Sequence, residues 1–251
     1  PDDYEKDEHG IEFDYSYRVL DRFDELRRKY GEDAVINLMG NHELVHIGLN
    51  DFRHVGKNEI EQGMPFKRGI RKAAGKYREG GGSEEVEKYV DRLKKRPLVA
   101  IAPNGIVFSH TGPTVLDKEG IAQTPVYSNK DAPYLRALTQ KRMHPGFVEL
   151  AEEDYLRYEQ HYLEMVARAR DKWKAKAFVI GHTPPKPELF INTPQTHTKW
   201  GEGYMRVGDN VFIFATGNYG EEERCFLELN LNKPILNVFD ISKMSAIRWV
   251  D

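Results

Sequence analysis

Cysteine is nearly absent from this chain. Cys225 is the single one among 251 residues, so no intramolecular disulfide framework can form. That scarcity suits a reducing compartment, cytoplasmic or organellar. A basic excess is missing too: Lys and Arg total 37 against 40 Asp and Glu, a net charge of −3. Nucleic-acid modules carry a surplus of positive charge for the phosphate backbone, so no nucleic-acid partner is expected. Long hydrophobic runs are also lacking. The nearly uncharged stretch from Pro97 is broken by Pro103-Asn104-Gly105 and falls short of an apolar membrane span, so a soluble chain with no membrane partner is expected. The chain opens Pro1-Asp2-Asp3, without an initiator methionine or a charged-then-apolar signal segment, and a processed or truncated start is expected. No repeat of fixed period occurs, and Gly80-Gly81-Gly82 is the one low-complexity patch. What is present is 39% hydrophobic and 31% charged residues, enough at this length for one large domain or two small ones, and a single domain over 1–251 is expected.

Helical and strand-like segments alternate. Tyr15, Val19, Phe23, Leu26 and Tyr30 recur at helical spacing and Gly31 supplies a stop. Ala34 to Met39 reads as a buried strand ending in Gly40-Asn41-His42-Glu43. Residues 52–97 read as an inserted region: basic, Gly-rich loop with short helical pieces to Gly82, then a helix from Ser83. The acidic start of that helix and its Lys94-Lys95-Arg96 end suit the helix dipole. Leu98 to Ala102 and Ile106 to Ser109 read as two strands around the Pro-Asn-Gly turn. A long helix is expected over Leu150 to Trp173, then a short strand at Ala177 to Ile180. Further strands are expected at Tyr204 to Val207, Val211 to Ala215, Phe226 to Leu229, Leu236 to Phe239 and Ile247 to Val250. The pattern is α/β with a β-rich C-terminal part, which suggests sheets packed face to face with helices outside.

Three of the nine histidines share one context. His42, His110 and His182 each follow a short apolar run and sit beside glycine, in Gly40-Asn41-His42-Glu43, Ser109-His110-Thr111-Gly112 and Gly181-His182-Thr183-Pro184. Strand ends converging at one edge of a sheet are where α/β folds place active sites, and imidazole and amide groups there can hold a divalent metal. A single such histidine is most simply a capping or packing residue; three in one context point to a site. A competing pattern overlaps the first. His42-Glu43-Leu44-Val45-His46 fits H-E-x-x-H, which on a helix presents two zinc ligands and a general base. Phe52 stands where the longer metzincin motif requires a third histidine, and a β-like run with Gly40 precedes His42 directly, so the zinc-protease reading is disfavoured.

Gly-Asn-His-Glu, then Ser-His-x-Gly, then Gly-His-Thr-Pro, in that order, resembles the calcineurin-like metallophosphoesterases. More narrowly, Leu44 to Val55 and Ala132-Pro133-Tyr134-Leu135-Arg136 resemble segments of the Shewanella-like protein phosphatases. The resemblance implies a β sandwich flanked by helices and a metal-dependent phosphatase acting on phosphoproteins (Ser/Thr or Tyr) or small phosphomonoesters. It implies two divalent cations (Mn, Fe or Zn), with Asn41, His110 and His182 as ligands of the second. His42 then corresponds to the general acid, Arg136 to a phosphate-binding arginine, and Tyr219 is reminiscent of an active-site tyrosine. Thr111 stands where a second glycine is usual. In such a site two cations roughly 3.5–4 Å apart generate a hydroxide and clamp the phosphoryl oxygens.

The family's first metal is held by an Asp-x-His pair and by Gly-Asp-x-x-Asp-Arg-Gly, both upstream of Gly-Asn-His-Glu. Neither motif precedes Asn41 here; Asp7-Glu8-His9-Gly10 imitates one but reads as a solvated acidic loop. Pro-Asp-Asp often follows Asp-Arg-Gly in the family. The expectation is therefore a domain incomplete at its N-terminus, lacking its first strands, binding at most one metal weakly and turning over little substrate. The alternative is a non-catalytic, degenerate phosphatase scaffold that binds phosphorylated partners.

Overall fold

A computed structural model describes residues 4–47, 57–75, 83–111, 164–182, 196–199, 204–207, 211–214, 225–237, 240–241 and 246–249. They form a mixed α/β structure in two compact units, the described residues up to Pro97 belonging to the first and those from Leu98 to the second.

The first unit starts with an antiparallel hairpin, β1 (Tyr4–Lys6) and β2 (Glu12–Asp14), with Glu5 opposite Phe13. Its turn is the expected acidic loop. Asp7 Oδ1 accepts the N–H groups of His9 and Ile11, each at 2.9 Å, while Glu8, His9 and Gly10 stay exposed. Helix α1 (Tyr17–Tyr30) follows its periodicity and stops at Gly31, whose φ of 98° is open to glycine and whose N–H donates to Arg27 O. Next come α2 (Asn41–His46), α3 (Lys57–Ala73) and α4 (Ser83–Lys94).

Two sequence expectations change in this unit. Residues 35–40 form no strand; Ile36 is 51% exposed and Met39 is fully buried, its N–H donating to Pro97 O at 2.9 Å. Among the described residues this single backbone tie stands in place of the ladder a strand requires. The basic, Gly-rich stretch holds one 17-residue helix rather than short pieces, running through Pro65. Phe66 and Ile70, four residues apart on one face, are both buried, and that burial outweighs the hydrogen bond the proline removes. Between them Gly69 lies against β2 so closely that a Cβ there would stand 2.0 Å from Asp14 O.

Polar ties join α1 to α4. Tyr89 donates its hydroxyl hydrogen to Asp21, with Oη 2.9 and 3.1 Å from the two carboxylate oxygens. Arg92 pairs with Asp21 at 2.9 Å and Asp24 at 2.7 Å while lying over the Tyr89 ring. Burial, then the Asp21 carboxylate, pushes the Tyr89 phenol up to about 12.

The second unit is built on a six-stranded mixed sheet in the order β3-β4-β5-β8-β7-β6. Strands β3 (Val99–Ile101) and β4 (Ile106–Ser109) form the expected hairpin, closed at Gly105 with φ 86°. Strand β5 (Ala177–Ile180) runs parallel to β4, pairing Ser109 with Ile180, and parallel to β8 (Val211–Phe214) on its other side. Strands β7 (Tyr204–Val207) and β6 (Thr196–Lys199) extend the sheet antiparallel. A separate antiparallel pair joins β9 (Cys225–Glu228) to β10 (Ala246–Trp249).

Both faces of the large sheet are covered, as near-continuous apolar strands such as Ala-Phe-Val-Ile require. On one face Val107, Phe178, Ile180, Val211 and Ile213 pack with Met165, Val166, Ala169 and Trp173. The last four belong to a helical segment over 164–173, the described end of the long helix expected from Leu150. On the other face Ile106, Ala177, Val179 and Phe214 pack with Ile235 and Ile241, and Leu227 of β9 joins them. The strand expected over Leu236 to Phe239 is corrected where described. Leu236 and Asn237 form a bend and residues 240–241 are helical, because Asp240 Oδ2 accepts the Leu236 N–H at 2.8 Å and closes a turn. Among the described residues no helix is long and apolar enough to cross a membrane.

Candidate metal centre at the ends of two parallel strands

Strands β4 and β5 lie side by side and parallel, so the residues just past their C-terminal ends fall together. His110 is the first residue beyond β4, and His182 the second beyond β5. His110 Nε2 and His182 Nδ1 are 3.0 Å apart, and the rings meet edge to face at 63°, centroids separated by 4.8 Å. Both side chains are half-buried.

The local backbone is specialised to hold this pair. The Gly181 N–H donates to His110 O at 3.2 Å, carrying the β4–β5 tie one residue beyond the ladder. His182 has a φ of 63°, in the left-handed region that a non-glycine residue rarely adopts. Such strain persists where the surroundings fix it, and it clusters at functional sites. Ser109, buried at the end of β4, donates its hydroxyl hydrogen to Thr111 O at 2.6 Å and locks the turn around His110. Thr111 itself is buried, so its side chain is accommodated at the position where the family pattern has glycine.

Two imidazole nitrogens each about 2.1 Å from a common cation, at a right angle, stand about 3.0 Å apart. At 3.0 Å one ring N–H donates to the other ring's nitrogen, and two imidazole nitrogens this close also suit a shared divalent ion. Among the described residues no group of three or more His, Cys, Asp or Glu gathers in ligating range.

Asn41 and His42 open α2 in the first unit. Gly40 stands at the N-cap, and Glu43, third in the helix, returns its Oε2 to accept the Gly40 N–H at 2.9 Å. The expectation that His42 directly follows a strand is corrected: it lies within the first turn of a six-residue helix. The H-E-x-x-H pattern is therefore helical, but its other two side chains are engaged in packing. Glu43 caps the helix and faces Arg96, and His46 is buried with its ring stacked on Phe66 at 4.0 Å. Arg136 and Tyr219 lie outside the described residues. The fold brings His110 and His182 together, and it places Asn41 and His42 together on α2.

Sequence reading missed Arg96. It took Lys94-Lys95-Arg96 as one basic helix end, but α4 stops at Lys94 and Arg96 lies beyond it. Burial pushes its guanidinium pKa down, against the upward pull of the Glu43 carboxylate. The sequence showed only half of the pairing, Glu43 three residues after Gly40 in the spacing of a capping box. Compared with models of known protein families and with curated proteins, the chain finds no match in either.

Proposed function

We propose that the chain carries part of the site of a metal-dependent phosphatase acting on phosphomonoesters, with phosphoproteins as the substrate class. The observation that carries this reading is the convergence of His110 and His182 at 3.0 Å beyond two adjacent parallel strands. Two covered faces on a mixed sheet, one under helix and the other touching β9, support the calcineurin-like sandwich that the three motifs imply.

His110 and His182 would hold a divalent cation, and the resemblance adds Asn41 as a further ligand. Such a cation supplies Lewis-acid charge to a phosphoryl oxygen. The chain's own groups do the rest. His42 carries the proton that an alkoxide leaving group needs, and a histidine is suited to this because its unperturbed pKa lies near neutrality. Arg136 grips two phosphoryl oxygens through its planar fork, which matches them in bidentate fashion.

The reading is tested with p-nitrophenyl phosphate in added Mn2+. The expected result is weak, Mn2+-dependent release of p-nitrophenol that is lost in His42→Ala and His110→Ala. Mn2+ binding without turnover would instead favour the non-catalytic scaffold. Proteolysis lost in Glu43→Gln and kept in Asn41→Ala would point to a zinc protease.

A further inference from the structure

Catalysis as proposed leaves Glu43 without a task, and the structure gives it one. Its Oε2 accepts the Gly40 N–H at 2.9 Å, while its Oε1 stands 4.0 Å from Arg96 Nη1. The Arg96 side chain is only 11% exposed and that of Glu43 28%, so solvent screens this pair less than a surface one. The next residue, Pro97, accepts the Met39 N–H at 2.9 Å. Two consecutive residues beyond α4 thus hold the chain around Gly40, one through its backbone carbonyl and the other through the Glu43 carboxylate.

A hold of this kind is needed because α2 cannot define its own start. It has six residues, far below the roughly 12–15 at which an isolated helix becomes even marginally stable. Gly40, directly before it, has the widest backbone freedom of any residue type. A slip of the helix start by one residue would turn each side chain by about 100° around the axis.

We infer that Arg96 is a positioning residue: with Glu43 it fixes where the first turn of α2 begins, and so how Asn41 and His42 are presented. The roles of Asn41 and His42 rest on the phosphatase reading; the strap itself does not.

The test is amide hydrogen exchange by NMR on the full chain, comparing wild type with Glu43→Ala, Arg96→Gln and Arg96→Lys. A hydrogen bond to a charged group sets the expected scale. Glu43→Ala speeds Gly40 exchange about tenfold and Arg96→Gln about threefold. Arg96→Lys, which keeps the charge, stays within about twofold of wild type, and the Asn41 and His42 backbone signals move only in the first two variants. Amides of α1 and β5 keep wild-type exchange. Gly40 exchange unchanged in both Glu43→Ala and Arg96→Gln overturns the proposal, as does an increase shared equally with α1, which would mean loss of general stability. Alongside, kcat for p-nitrophenyl phosphate in Mn2+ falls in Arg96→Gln with KM held, and Arg96→Lys restores it. A wild type without turnover sinks the phosphatase reading alone, because Gly40 exchange still decides the strap.

Discussion

The two units place chemical groups by different physical means. In the second unit position comes from sheet register. Once Ser109 pairs with Ile180, His110 and His182 must emerge at the same edge, and buried Phe178, Ile180 and Val107 prevent any slip. In the first unit a short helix carries Asn41 and His42, and its start depends on a few polar ties, from Glu43, Arg96 and Pro97. Register set by apolar burial tolerates polar substitution nearby. A helix start set by a carboxylate and a guanidinium does not.

The difference can be broken apart by mutation, because all three tryptophans, Trp173, Trp200 and Trp249, belong to the second unit. The largest effect is expected for Phe178→Ala, which empties a fully buried site beside Trp173. It should cost about 4 kcal/mol, read as a lower urea midpoint in tryptophan fluorescence. Gly69→Ala attacks the first unit where α3 lies closest to β2, so that a Cβ meets Asp14 O and only movement of α3 or β2 can relieve it. About 3 kcal/mol is expected, seen in the helical circular dichroism signal during urea unfolding.

A third prediction concerns alkaline pH. The folded Tyr89 phenol titrates at about 12 against 10.0 for the free group, so between those values the folded chain keeps a proton that the unfolded chain has lost. Its stabilising contribution is complete below pH 10 and disappears as pH rises through about 12. Tyr89→Phe should flatten that alkaline limb of stability measured by chemical denaturation; an unaltered limb would contradict the link between α1 and α4 described above. The smallest effect is expected for His182→Gly. Removing the side chain from a φ of 63° should stabilise the metal-free fold by about 1 kcal/mol, measured as a raised midpoint.

The sequence made the second unit easier to read than the first. The 98–109 hairpin and the Ala177 to Ile180 strand carry continuous apolar runs and clear turn residues, so their boundaries fall within about a residue of those observed. Strand β6 was invisible because Thr-His-Thr-Lys has no apolar alternation and is defined only by its pairing with β7. Ala34 to Met39 misled in the opposite way: it is apolar enough for a strand, yet among the described residues it makes a local turn bond to Gly31 and one distant tie to Pro97 instead of a ladder. The histidine pair could be nominated from glycine context and motif order, but the left-handed backbone at His182 could not, since local sequence there favours no such strain. Arg96 was read by its neighbours in sequence when its meaning lay in Glu43, more than fifty positions earlier.

The central claim is that His110 and His182 hold one divalent cation between them. Isothermal titration of Zn2+ into wild type, His110→Ala and His182→Ala tests it without any need for turnover. The account predicts one site per wild-type chain, weakened at least about tenfold by either substitution, since each removes one of two described ligands. Equal Zn2+ affinity in all three proteins would contradict it.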